Sequence, residues 1–251
     1  LENFRWMHNN IASHTTHIAE LVPLDPVAEG HHDASGSGAG GIWFPSAMLV
    51  PYLGYHALKP LLCHDQWPDY IKQWLVMEDN PNGTIINSDL ELAGGLLHLE
   101  ALTQTFDVTE YTVLSKGDKL STTFWEQKGS TSSDKPPAYL LRLFRIHQRF
   151  HHYIPRFDYI SGASNHIDDA LSRNFHLTWQ ELIASLSPHL SQNVGYQLWT
   201  PSSQILSALT SALLRKQSKR ESLQVMPPKP SLPGISGPSS QLSWASTPFS
   251  K

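Results

Sequence analysis

One cysteine, Cys63, is all that the 251 residues contain. Internal disulfides and cysteine-based zinc sites are therefore excluded, and a reducing compartment suits the chain. Long hydrophobic runs are missing too. The most apolar stretch, 42–62, is interrupted by prolines, so no transmembrane helix and no membrane partner are expected. The start shows neither an initiator Met nor the charged, apolar and small-residue order of a signal peptide. The chain, which begins at Leu1, reads as a piece of a longer polypeptide that is intracellular, in cytoplasm or nucleus, and not secreted. An excess of positive charge is also lacking, since the net charge is −4. The distribution is uneven, however. Between 116 and 156 eight Lys and Arg stand against three Asp and Glu, with His147, His151 and His152 added, a composition suited to a phosphate backbone or to a solvated helix face.

What is present begins with HHDASGSGAGGIWF over 31–44. Gly36-x-Gly38-x-x-Gly41 has the dinucleotide-binding spacing, but that motif needs a helix after it. Ile42, Trp43, Phe44 and Pro45 follow instead, so two short strands, about 30–34 and 41–44, are expected with the glycines turning the hairpin. Residues 45–83 show no clean period. A β-branched stretch at 84–86 precedes a helix with Leu92, Leu96, Leu99 and Leu102 on one face and a Ser88-x-x-Glu91 start signal. A strand over 110–115, a short helix ending at Gly129, a long basic amphipathic helix from 137, a last strand over 156–160 and a helix at 165–173 complete the pattern. A weak helical segment lies at 9–22. The order points to an α/β fold, a mixed sheet with helices packed on it.

Four carboxylates stand at the ends of these elements: Asp33, Glu91, Asp118 and Asp169. Each alone has a structural use, as turn residue, capping-box glutamate, helix cap or surface acid. His31-His32 and His151-His152 form a rival set of metal ligands. Adjacent residues of a strand point to opposite faces, so each pair presents one side chain to a given site.

DASGSGAGG, ELAGGLLHLEAL, VLSKGDKLSTTFW and GASNHIDDALSR together resemble the four motifs of the ribonuclease H superfamily. The ending Asn-x-x-x-Asp-Ala-Leu-Ser-Arg is similar to that of ribonuclease H domains fused to reverse transcriptases in retroelements, gypsy-type ones especially, and NPNGTIINSDLELAG and SQLSWASTPFSK resemble stretches of protist and fungal retroelement polyproteins. The resemblance covers about 28–175. It implies a connector from a reverse transcriptase region over 1–27 and a ribonuclease H-like domain over 28–175. A helical extension over 176–222 and a disordered Pro/Ser/Gly-rich linker over 223–251 follow. The catalytic and metal-binding acids fall on Asp33, Glu91, Asp118 and Asp169, and Asp168 is expected to point to solvent. The third motif departs from the pattern as Lys116-Gly117-Asp118-Lys119, and Tyr159 stands where cellular members carry a mobile histidine. Crowded carboxylates repel, and hard divalent cations relieve the conflict. The implied cofactors are two Mg²⁺ or Mn²⁺ ions ~4 Å apart, which activate water and stabilise the leaving oxygen. The implied substrate is an RNA–DNA hybrid, held in part by Arg142, Arg145 and Arg149, with the reverse transcriptase region of the same polyprotein as partner. The competing expectation is a non-catalytic scaffold or nucleic-acid-binding spacer that keeps the fold alone.

Overall fold

In the computed structural model the described residues are 22, 24–51, 59–131, 136–190 and 195–214. All but the last residue of the expected N-terminal helix, and the whole 223–251 linker, lie outside them. Strands β1 (Ala28–Ala34) and β2 (Gly38–Pro45) pair antiparallel around a turn at Ser35, Gly36 and Ser37. Only one of the glycines turns the chain; Gly38, Gly40 and Gly41 lie inside β2, which corrects the expectation that the string is the hairpin loop. Ser35 shapes the turn instead, its Oγ accepting from Ser37 N at 3.0 Å and Gly38 N at 3.4 Å.

Short β3 (Val50–Pro51) pairs with β5 (Phe106–Asp107) in a separate ribbon. The third strand of the main sheet is β4 (Leu61–Gln66), antiparallel to β2. It lies in the stretch that showed no period, whereas the β-branched 84–86 contributes only an isolated bridge from Ile85 to Leu75. Beyond the one-turn helix α1 (Asp69–Lys72) comes α2 (Asn87–Thr105). Strand β6 (Thr112–Gly117), helices α3 (Leu120–Lys128) and α4 (Pro136–His151), and strand β7 (Ile154–Tyr159) follow. Gly129 closes α3 in the left-handed region at φ 65°, the conformation glycine adopts without steric cost. Then come α5 (His166–Arg173), α6 (Trp179–Leu186), β8 (Gln197–Trp199) and α7 (Ser203–Leu214). The stretch after 175 is therefore not purely helical, because β8 joins the sheet edge parallel to β4.

The sheet order is β7-β6-β1-β2-β4-β8, with β1, β6 and β7 mutually parallel and the β1-β2-β4 meander antiparallel. This is the expected mixed sheet flanked by helices. Alternation along its strands fills two cores. Trp43, Leu61 and Cys63 join the larger one with α2, α4 and α7. Ile42 and Leu62 face the other way, onto Leu171 of α5 and Leu182 and Leu186 of α6. Helix α5 approaches β2 so closely that a Cβ on Gly40 would stand 2.4 Å from Leu171. Downstream packing, not the turn, is what demands glycine there.

Candidate functional site

The parallel strands β1 and β6 end side by side, with His32 opposite Gly117. Asp33 on β1 and Asp118 just past β6 are thereby brought to one edge of the sheet. Helix α2 delivers Glu91 from the start of its second turn. Its start is fixed by Asp89, whose Oδ2 accepts the Ile86 N–H at 3.0 Å, so the Ser88–Glu91 capping box expected from sequence is not formed. Glu91 is left for the site. One oxygen each from Asp33, Glu91 and Asp118 lie within 4.8 Å of one another.

Each neighbour tunes this cluster. Ser172 of α5 donates its hydroxyl to Asp33 Oδ2. Asn87 Nδ2 donates to Glu91 Oε1 at 3.3 Å, while Glu91 Oε2 is buried and makes no hydrogen bond. Burial raises the Asp33 pKa, the Ser172 hydroxyl opposes it, and the Asp118 charge adds to the rise. Burial, then the charges of Asp33 and Asp118, pushes Glu91 well above the usual carboxylate range. Three clustered carboxylates, of which Asp33 and Glu91 resist ionising and Glu91 has an orphaned buried oxygen, form a donor set that hard divalent cations fit. Residues Asp33, Glu91 and Asp118 would hold such ions.

The fourth acid is placed differently. Asp169 stands at the rim, its side chain 55% exposed, and accepts from Arg173 Nε at 2.5 Å. It is near enough to Asp33 to raise that group's pKa but outside the three-acid group. Its neighbour corrects the sequence reading outright. Asp168 does not point to solvent: its side chain is 0% exposed and lies 3.4 Å from His31 Nδ1. The reason is helical phase. Leu171 and Ser172 pack on β1 and β2, and Asp168 precedes them by three and four residues, on the same face. Burial raises the Asp168 pKa to about 6, with His31 pulling the other way.

The three arginines sit on α4. Arg145 is exposed, donates to Gln148 Oε1 at 2.8 Å, and lies against Gly129. That contact is at the far end of α3, a helix that begins just after Asp118 and runs nine residues, about 13 Å, away from it. Arg142 and Arg149, half-buried, are three residues before and four after it. Of the paired histidines, His31 meets Asp168, and His32 is buried with its Nδ1 3.2 Å from Ser115 Oγ. Sequence reading missed a further group, Glu100 with His147 and His151. The signal available was the i, i+4 spacing of His147 and His151; nothing local pointed to Glu100.

No family model and no curated protein matches the chain. One similar solved structure is an RNase H1 from the halophilic archaeon Halobacterium salinarum NRC-1, 16% identical, covering 57% of this chain and 92% of that one, with a TM-score of 0.33. A likeness this distant settles neither family nor activity. Among the described residues, no helix is long and apolar enough to cross a membrane.

Proposed function

We propose that the chain is a ribonuclease H-like nuclease that cleaves the RNA strand of RNA–DNA hybrids, and that it works within a retroelement polyprotein beside a reverse transcriptase region. The observation that carries this reading is the meeting of Asp33, Glu91 and Asp118, from β1, α2 and the end of β6, with an oxygen of each within 4.8 Å of the others. Two Mg²⁺ or Mn²⁺ ions in such a site supply an activated water and stabilise the leaving 3′ oxygen of an in-line cleavage. The chain's own groups do the rest. Ser172 fixes the rotamer of Asp33, and Asn87 holds one oxygen of Glu91 so that the other faces the cluster. Asp169, held at the rim by Arg173, would add a fourth carboxylate to the residues that hold the ions. Arg142, Arg145 and Arg149 track a phosphate backbone, and 2′-hydroxyls in the minor groove mark the strand to be cut.

The test is cleavage of labelled RNA in an RNA–DNA hybrid. The expected result is Mg²⁺-dependent cutting to 5′-phosphate and 3′-hydroxyl ends, stopped by EDTA and abolished in Asp33→Asn. A folded protein that binds hybrid and leaves it uncut with Mg²⁺ and with Mn²⁺ refutes the nuclease and leaves the scaffold.

A further inference from the structure

Away from the sheet edge, helices α2 and α4 bury a second set of ligating side chains. His147 and His151, one turn apart on α4, face Glu100 of α2, and all three are buried, with side chains at most 1% exposed. Glu100 Oε2 lies 2.8 Å from His147 Nε2 and 3.8 Å from His151 Nε2. The surrounding groups orient this set. Gln104 Nε2 donates to Glu100 Oε1 at 3.1 Å, which leaves Oε2 for the histidines. The other ring nitrogen of His147, Nδ1, is 2.9 Å from Tyr153 Oη, the outer hydrogen bond that metal-bound histidines commonly have. One ligand atom from each of the three residues lies within 4.8 Å of the others.

We infer that Glu100, His147 and His151 form a metal site for a transition-metal ion of the zinc class, one that pins α2 to α4. Two imidazoles and a carboxylate are a zinc donor set, and imidazole does not suit Mg²⁺. The site is separate from the carboxylate cluster, since Glu100 is nine residues, about 13 Å along the helix, from Glu91. An ion at Nε2 of a neutral His147 would require the tautomer protonated at Nδ1, whose N–H would donate a hydrogen bond to Tyr153 Oη. A tetrahedral ion has one position more, and Thr103 Oγ1, 3.4 Å from His147 Nε2, is a nearby oxygen.

The experiment is a Co²⁺ titration of the full chain stripped by chelator, with excess Mg²⁺ present to occupy the carboxylate cluster. One equivalent should give the intense visible d–d absorption of four-coordinate cobalt, bleached by Zn²⁺. With Zn²⁺ at a hundredfold excess over Kd, the Tm should rise by about 5–10 °C. His151→Gln and Glu100→Gln should lose both signals, and Tyr153→Phe should weaken binding roughly tenfold. Wild-type protein with no absorption band and no Tm shift overturns the inference and leaves a hydrogen-bonded network only. A band undiminished in folded His151→Gln puts the ion elsewhere and overturns it equally. If the ligand variants do not fold, the wild-type titration and Tyr153→Phe decide.

Discussion

Replacing Asp168 with Asn tests the register of α5, on which the fourth site acid depends. The Asp168 carboxyl is fully buried and titrates at about 6 in the folded protein, against 3.8 as its ordinary value. A folded-state pKa above the unfolded one means that the native state holds the proton more tightly. Stability is then full below about pH 4 and falls as pH rises toward 6 and beyond. About two pKa units at about 1.4 kcal/mol each give a loss on the order of 3 kcal/mol by neutral pH. An amide of the same shape carries no charge to desolvate. Asp168→Asn should therefore gain on wild type as pH rises, by roughly 5–10 °C in Tm between pH 4.5 and 7.5, measured in EDTA. Comparing the two proteins cancels the other raised carboxyls. Hybrid cleavage should survive this change, because Asp168 faces His31 and the sheet, while Asp169→Asn should abolish cleavage and leave the Tm nearly unchanged. A Tm difference that is the same at both pH values would refute the burial argument. Cleavage lost in Asp168→Asn and kept in Asp169→Asn would exchange the two roles.

Glu91→Gln should stabilise the metal-free protein at neutral pH, because Glu91, like Asp168, has a raised folded-state pKa whose burden appears as pH climbs above the ordinary carboxylate range. The same change should abolish the Tm increase that Mg²⁺ gives the wild type; a metal response that persists intact would place the ions elsewhere. Replacing Arg142, Arg145 and Arg149 together by Ala should weaken hybrid binding and lower the slope of log K against log salt by up to about 0.9 for each phosphate that is no longer neutralised. Equal salt slopes for variant and wild type would mark α4 as a solvated face.

Much of this was legible in local sequence, and the failures have a common cause. The leucine helix and the Gly129 stop depend on neighbours within one or two turns, and the structure has both. The role of Gly40 depends on Leu171, which the chain supplies more than a hundred residues later. Strand β4 carries Leu61, Leu62 and Cys63 as a buried run facing both cores, so it has no alternation to reveal it. Asp168 is the instructive error, because the needed rule was available. If Leu171 packs on the sheet, the residue three before it shares that face, and only the adjacency of two identical acids hid the consequence.

Helix α2 shows how the two kinds of information meet. It is buried on nearly every side, so its leucines report packing and say nothing of chemistry. Its charged residues are the informative ones, since an ionised group inside a core costs several kcal/mol unless something opposite satisfies it. Asp89 answers that demand by closing the helix start on Ile86 N–H. Glu91 meets Asp33 and Asp118, like charges that worsen its position and make a cation the natural counterpart. Glu100 meets His147 and His151, groups able to share its charge with a metal. Stability alone would place apolar side chains at both glutamates, as it does at Leu92, Leu96, Leu99 and Leu102 on the same helix. Local rules give way where chemistry is retained at the expense of packing, and on α2 the proposed nuclease and metal sites would put those places at Glu91 and Glu100.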